Sequence, residues 1–203
     1  MIADVLLVIG GYLVGSIPSG LVVVKLARGQ DIRAHGSGNI GASNVWRTYG
    51  RWLGVPVALL DVAKGFAPAL VGLVVGGDWI GVMAGAAAML GHARPVYLRF
   101  SRGGKMVATA GGVTFALAPL AAASCLGIWI AAFALLRYAS VASIVTALLL
   151  PLLCIVFGAS WPIVGFAAVA GAGVVFLHRQ NIRRLLAGTE PRFTRRRRGD
   201  AAA

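Results

Sequence analysis

The chain has 203 residues, of which 59% are hydrophobic and 12% are charged, and its formal net charge is +13. A soluble domain carries about 25% charged residues and a smaller apolar share, so this composition excludes a disordered chain, a coiled coil and a water-soluble globule. A lipid bilayer is the solvent that the composition predicts.

Seven apolar segments follow one another along the chain, and six of them are long enough to cross a bilayer as helices. In chain order they cover residues 2–24, 52–75, 79–98, 106–118, 120–136, 141–157 and 161–177. The segment 106–118 is the short one, and it predicts either a short span packed in protein or a re-entrant segment. The pattern predicts an all-α polytopic membrane protein.

The placement of basic residues decides between six and seven crossings. Lys and Arg cluster in residues 25–51, in residues 94–105, at Arg137 and after residue 177, whereas the other turns carry none. With seven crossings all of these basic segments lie on one side, which the positive-inside rule assigns to the cytoplasm. We therefore predict a bundle of seven transmembrane helices, one of them short, with the N-terminus outside and the C-terminus cytoplasmic.

The chain divides into one transmembrane domain, residues 1–190, and a flexible basic cytoplasmic tail, residues 191–203. The arginines of this tail, from Arg192 to Arg198, predict contact with anionic lipid headgroups, each worth about 1 kcal/mol near the surface. Nucleic-acid binding is disfavoured, because no aromatic residues are interleaved with the arginines and no nucleic-acid-reading fold accompanies them.

The first basic segment is rich in glycine and small polar residues. Glycine lets backbone amides turn toward an anion, and a helix beginning near Ala42 would place Ser43 and Arg47 on one face. An oxyanion at that helix N-terminus would meet amides, hydroxyls and a guanidinium. A flexible polar loop is an equally good interpretation. The candidate residues are Gly36, Ser37, Gly38, Asn39, Asn44 and Arg47.

Two further clusters lie on the same predicted side. Gly103, Gly104 and Lys105 directly precede the short apolar segment, an arrangement typical of a phosphate cradle although it lacks Walker A spacing. His178 and Asn181 share a helix face at the end of the last span. A snorkelling basic helix end would explain the arginines there but explains His178 and Asn181 poorly.

Smaller features complete the set. Ser140 and Ser143 share a helix face, which favours either a polar site or interhelical hydrogen bonds. Asp61 and Lys64 lie three residues apart inside the second span, where a structural ion pair is favoured over a functional site. No H-E-x-x-H motif or paired Cys/His spacing is present, so no catalytic metal is expected. Many cations and few acids favour a multiply anionic substrate.

Taken together, these motifs resemble the bacterial membrane-integral, acyl-phosphate-dependent glycerol-3-phosphate acyltransferases. The resemblance covers the chain from residue 15 to about residue 190, in the family's order. The matching stretches are 15–20 (GSIPSG), 31–47 with GSGNIGASN, 60–65 (LDVAKG), 91–98 (GHARPVYL), 103–109 (GGKMVAT), 137–144 and 178–185 (HRQNIRRL).

The resemblance implies transfer of a fatty acyl group from acyl phosphate to the sn-1 hydroxyl of glycerol 3-phosphate, early in phospholipid biosynthesis. The products would be 1-acyl-glycerol 3-phosphate and inorganic phosphate. It implies an enzyme of the bacterial cytoplasmic membrane, with its site facing the cytoplasm and no cofactor. The implied catalytic residues are Ser37, Arg47, Lys105, His178 and Asn181, and the implied substrate-binding residues are Gly36, Gly38, Asn39, Asn44, Gly103, Gly104 and Ser143.

Two other functions stay open at the level of sequence. A small anion or phosphate transporter would use Asp61 and Lys64, although no inverted repeat is visible and the polar clusters lie at one face. A catalytically weakened paralogue with a binding role is the second. It draws on Met106, which stands where the family usually has glycine, and on one extra residue between Phe100 and Gly103.

Overall fold

The structure is a computed structural model that describes residues 1–193. Within that range the chain forms nine α-helices and no β-strand. They are α1 (Ile2–Gly15), α2 (Ser19–Arg28), α3 (Ala42–Tyr49), α4 (Arg51–Ala93), α5 (Val107–Leu117), α6 (Pro119–Leu136), α7 (Ala139–Val156), α8 (Trp161–Leu177) and α9 (Arg179–Leu186). Residues 195–198, for which lipid contact is predicted, lie outside the described residues.

The longest helix, α4, is a hairpin. It is interrupted at Gly77, whose φ of 73° and ψ of −168° are non-helical and suit glycine alone. On either side of this break the backbone of Gly72 lies against that of Ile80. The arms 51–76 and 78–93 therefore pack on each other as two separate crossings.

By length and composition, four helical units in the described chain can cross a membrane, and the bent pair α8–α9 makes a fifth. One unit is α1 with α2, another is the α4 hairpin, and the remaining two are α6 and α7. The apolar helix α5 has only 11 residues. With the arms of α4 counted separately, the described residues contain the seven predicted apolar segments, including the short one.

The first predicted span is broken between α1 and α2. Pro18 follows Ile17 and has no N–H, so it cannot continue the helical hydrogen-bond ladder. The Ile17 carbonyl accepts a hydrogen bond from Lys64 Nζ at 2.9 Å, and the same amine lies 2.8 Å from Asp61 Oδ1. The predicted ion pair is thus confirmed, and it also caps the broken helix.

Glycine and alanine let the helices approach closely, as expected where no hydrophobic force drives association in lipid. Gly11 and Gly15 of α1 lie directly against the backbone of Ala84 and Ala88 in the second arm of α4. A side chain at either glycine would therefore push α1 away from α4.

We expect Gly15→Ala to destabilise the protein by about 1–3 kcal/mol, because its new methyl group would overlap the Ala88 backbone. Gly10→Ala is the matched control on the same helix, since a Cβ there meets nothing within 4 Å. Thermal unfolding in detergent measures both variants. Equal unfolding midpoints for the two variants would contradict this packing.

Candidate active site

A cavity of about 350 Å³ lies inside the bundle and changes character along its length. Its polar end is lined by side chains from separate segments, and its deeper part is lined by aliphatic and aromatic residues of α4 to α8. The polar end includes Ser37, Asn39, Asn44, Lys105, Ser140, Ser143, His178 and Asn181. The apolar part includes Val62, Phe115, Leu126, Leu150 and Ala170.

The first polar loop is folded by Asn44. Asn44 Oδ1 accepts a hydrogen bond from the Ser37 N–H at 2.9 Å, and Asn44 Nδ2 donates to the carbonyls of His35 and Asn39. Gly36, with φ of 60°, packs directly on the Asn44 amide. Asn44 thus fixes the loop so that Ser37 lies at the cavity, and the side-chain amide of Asn44 is itself fully engaged in these bonds.

Asn39 and Gly38 complete the same loop. Asn39 Nδ2 donates to the Gly103 carbonyl at 3.0 Å, and Asn39 Oδ1 accepts from the Gly41 N–H at 2.8 Å. Gly38 adopts a left-handed φ of 70°. Asn39 therefore ties the first loop to the second, and this contact brings two predicted clusters together.

The expectation that the Gly103 and Gly104 amides cradle phosphate needs correction. The Gly103 N–H donates to the Ala93 carbonyl and the Gly104 N–H to the His92 carbonyl, each at 3.0 Å. Both amides therefore cap the end of α4. Glycine is needed at Gly104 because a Cβ would overlap the His92 ring. This turn positions Lys105 rather than supplying backbone donors.

Lys105 is joined to the last helix. Its Nζ donates to Asn181 Oδ1 at 2.6 Å, and Asn181 Nδ2 donates in turn to Glu190 Oε1 at 2.6 Å. The second and third predicted clusters therefore meet in one hydrogen-bonded chain. Asn181 is only 3% exposed and Glu190 only 7% exposed, so these two members of the hydrogen-bonded network are shielded from water.

Glu190 is the residue that sequence reasoning missed. Its carboxylate also accepts hydrogen bonds from Ser140 Oγ at 2.7 Å and from Arg184 Nε at 2.8 Å. The available signal was that Glu190 is the only glutamate in the chain and follows an arginine-rich helix. Glu190 was missed because it lies next to arginines that predict a flexible basic tail. The structure shows that Phe193 within that tail is only 9% exposed and packs on the bundle.

Arg47 packs against a residue that lines the cavity. Its guanidinium carbon is 5.3 Å from the centre of the Phe193 ring, and Phe193 itself lines the cavity. Within residues 1–193 no side chain or carbonyl accepts a hydrogen bond from the Arg47 guanidinium, whose contact is with the Phe193 ring. Its N–H donors are therefore available to an anion.

His178 and Ser143 line the cavity between the polar cluster and the apolar part. The His178 Nδ1 is 2.8 Å from the Val174 carbonyl, and because a carbonyl only accepts, Nδ1 carries the proton. Its Nε2 is then an acceptor in the neutral ring. Ser143 Oγ donates to the Ala139 carbonyl at 2.7 Å and accepts from Trp129 Nε1 at 3.1 Å.

Asp61 and His92 also line the cavity, although the spacing of Asp61 and Lys64 favours a structural role for Asp61. His92 Nδ1 lies 3.6 Å from Asp61 Oδ1, and both side chains are about 3–4% exposed. Among the described residues no three His, Cys, Asp or Glu side chains come together in a way that would hold a metal ion.

Burial governs the electrostatics of the polar end. Burial lowers the pKa of Lys105 to about 8, with Arg184, Arg47 and Arg102 adding to this effect and Glu190 opposing it. Burial also lowers the pKa of Arg47. For Glu190, burial raises the pKa, but hydrogen bonds from Asn181, Arg184 and Ser140 outweigh it and the net pKa is lowered. The site therefore holds one anion among several cations.

Met106 directly precedes α5 as its N-cap residue, with φ of 66°, a left-handed conformation that favours glycine. This explains the usual family residue at that position by backbone geometry. Its Cε lies 3.4 Å from the position a Cβ would take on Gly173, so its side chain packs toward α8.

Comparison with known proteins places this arrangement among its relatives. The sequence profile described as glycerol-3-phosphate acyltransferase matches residues 5–188. Proteins named glycerol-3-phosphate acyltransferase from Desulforudis audaxviator and Thermosynechococcus vestitus are 47% and 44% identical. The alignments cover 95% and 93% of this chain and 98% and 94% of those relatives.

Two solved structures of PlsY, an integral membrane glycerol 3-phosphate acyltransferase, have the same fold. Its glycerol 3-phosphate form superposes with a TM-score of 0.90 at 44% identity, covering 95% of this chain and 96% of that chain. Its lysophosphatidic acid form superposes with a TM-score of 0.88 at 42% identity, with the same coverage. The predicted membrane-integral helical fold is therefore confirmed.

We expect Lys105 to titrate near pH 8 and Glu190→Gln to lower that midpoint further, because the variant removes the anion that favours the charged amine. The chain has only three lysines, Lys25, Lys64 and Lys105. NMR of ¹³C-methylated lysine side chains therefore resolves the signal, and Lys105→Arg assigns it. A midpoint above about 10, the ordinary range for lysine, would contradict the buried setting.

Proposed function

The chain belongs to the glycerol-3-phosphate acyltransferase family, and we propose that it transfers a fatty acyl group from an acyl phosphate to the sn-1 hydroxyl of glycerol 3-phosphate. One observation carries the proposal: a single cavity joins a cluster of cationic and hydroxyl groups to an apolar channel inside the bundle. Both reactants carry a phosphate, and only the donor carries a long hydrocarbon chain. The cavity has the matching polarity at each end.

Lys105 and Arg47 are the proposed phosphate ligands, with Ser37 assisting. Lys105 Nζ keeps donors beyond its bond to Asn181, and Arg47 offers a planar fork that suits phosphate. The first turns of α3 and α5 also border the cavity, and the free backbone amides of a helix N-terminus favour an anion. In this proposal, side chains and helix N-termini bind the phosphate, in place of the Gly103 and Gly104 amides that the sequence predicted.

The proposed reaction needs one bond to form and one to break. The glycerol 3-phosphate hydroxyl oxygen attacks the acyl carbonyl carbon, and the bond from that carbon to the phosphate oxygen breaks. The hydroxyl proton passes to the leaving phosphate, so no separate protein base is required. His178 Nε2 and Asn181 orient the hydroxyl and the carbonyl, and preorganised donors stabilise the charge that develops on the carbonyl oxygen.

The acyl chain of the donor occupies the apolar part of the cavity. Ser140 and Leu150 both line it and lie ten positions apart on α7, about 15 Å along the helix axis. That distance is about half of the ~30 Å hydrocarbon thickness of a bilayer, or the depth of one leaflet. Val55 and Leu126 line the cavity and are also exposed on the lipid-facing surface, which supports entry of the chain from the membrane.

We place the polar end at the cytoplasmic face of the bacterial inner membrane. The segments 25–51 and 94–105, which carry Arg47 and Lys105, contain nine of the chain's 19 Lys and Arg residues, and the positive-inside rule assigns such basic segments to the cytoplasm. Glycerol 3-phosphate then enters from the cytoplasm. The N-terminus lies outside in this arrangement, and the arginine tail faces the anionic cytoplasmic leaflet.

A direct assay tests the function. Purified protein in detergent is incubated with labelled glycerol 3-phosphate and palmitoyl phosphate, and we expect labelled lysophosphatidate and inorganic phosphate in equal amounts. Uptake of phosphate into liposomes without product would support a transporter instead. Binding of glycerol 3-phosphate without turnover would support a weakened paralogue.

We expect Lys105→Ala to reduce kcat/KM at least about 100-fold, because it removes a buried charge-assisted phosphate contact. Lys25→Ala is the matched control, since Lys25 is an exposed lysine on α2. The same assay measures both variants, and size-exclusion chromatography confirms insertion and folding. Near-normal turnover in Lys105→Ala would remove this amine from the mechanism.

The apolar channel generates a prediction about chain length. Ala147 is 8% exposed and lines the channel, so Ala147→Leu would fill space that the acyl chain needs. We expect kcat/KM to fall about tenfold for palmitoyl phosphate and much less for octanoyl phosphate. Leu148→Ala changes the neighbouring residue, which is 63% exposed, and is the control. An equal loss with both donors would place the long chain elsewhere.

A further inference from the structure

We propose that Phe193 is a positioning residue of this enzyme, whose ring holds the Arg47 guanidinium next to the cavity that Phe193 and Lys105 both line. The inference rests on the proposed function, because it takes Arg47 as a phosphate ligand. Phe193 lies beyond the family profile, which ends at residue 188, and its neighbourhood in the sequence is a run of arginines.

The backbone of Phe193 is fixed to the corner between α6 and α7. The Phe193 N–H donates to the Arg137 carbonyl, and Arg137 Nε donates to the Phe193 carbonyl, each at 2.9 Å. Three residues earlier, Glu190 is held by Ser140, Asn181 and Arg184. The segment 190–193 is thereby fastened at both ends across the polar end of the cavity.

The ring of Phe193 is fixed as firmly as its backbone. It packs edge-to-face on Trp46 at 6.0 Å and on Phe133 at 5.0 Å between ring centres. These two rings come from α3 and α6, and all three line the cavity. Edge-to-face aromatic contacts constrain orientation as well as distance, so the ring face beneath Arg47 is held in place.

An aromatic face suits a phosphate-binding arginine better than a carboxylate does. A carboxylate would occupy guanidinium N–H donors and neutralise the charge that phosphate needs. A cation–π contact attracts the guanidinium without using a conventional hydrogen-bond acceptor, so N–H donors remain for phosphate. The Arg47 guanidinium carbon lies 5.3 Å from the ring centre, so the ring positions Arg47 while its hydrogen-bond donors stay available.

The test uses the full chain and the acyltransferase assay. Phe193→Leu removes the ring but keeps apolar volume, and Phe193→Tyr keeps the ring. Arg47→Ala first identifies which of the two phosphate substrates depends on Arg47. For that substrate, we expect Phe193→Leu to raise KM about fivefold. Phe193→Tyr should stay within about twofold of the native KM. Phe176→Leu is the control, because Phe176 carries Arg179 at 4.4 Å on an exposed surface away from the cavity.

A double-mutant cycle separates positioning from general stability. If Phe193 acts through Arg47, Phe193→Leu changes KM by less than about twofold when Arg47 is already alanine. An equal effect in both backgrounds, or an unchanged KM in Phe193→Leu alone, overturns the proposal. Near-normal KM and kcat in Arg47→Ala would instead refute the phosphate role of Arg47, and the inference with it. Phe193→Met replaces the leucine variant if its thermal stability falls.

Discussion

The polar end of the cavity depends on one buried carboxylate. Glu190 accepts hydrogen bonds from Ser140, Asn181 and Arg184, and Asn181 in turn accepts one from Lys105. Unpaired cations gathered in a low-dielectric setting repel one another strongly. A carboxylate that is fully hydrogen-bonded offsets this repulsion, and it keeps its own charge because the hydrogen bonds from Asn181, Arg184 and Ser140 outweigh the desolvation penalty. The cationic site is therefore assembled before any phosphate enters.

The hydrogen bonds of the two polar loops separate the contacts that are structural from those that are free for a substrate. Several polar groups form hydrogen bonds that hold the protein itself together. The side chains of Asn44 and Asn39 hold the loops, and the Gly103 and Gly104 amides cap the end of α4. In the proposed reaction, what remains for an anion is Arg47, the spare donors of Lys105, the Ser37 hydroxyl and the first turns of α3 and α5. The glycine-rich loops therefore shape the site, and we propose that the charged side chains recognise the ligand.

Much of this arrangement follows from the sequence. Apolar length and loop charge predict the seven segments, and the three-residue spacing predicts the pairing of Asp61 with Lys64. Local patterns do not reveal long-range partners, so Glu190 and Phe193 read as parts of a basic tail. A pattern also cannot distinguish a glycine that turns its amide to a ligand from one that caps a helix. At Gly104 the deciding fact is the His92 ring packed against it.

The scarcity of carboxylates bears directly on the chemistry. Among residues 1–193 only Asp61 and Glu190 are buried acids, and each is already engaged, by Lys64 and by the Glu190 hydrogen-bond network respectively. The hydrogen bonds that lower the pKa of Glu190 make its carboxylate a weak proton acceptor. In the proposed mechanism an acyl phosphate removes the need for a stronger acceptor, because its leaving group would accept a proton and would itself be bound by the cations. The same phosphate would then serve charge neutralisation and proton transfer, which is why a site rich in cations and poor in bases suits this donor.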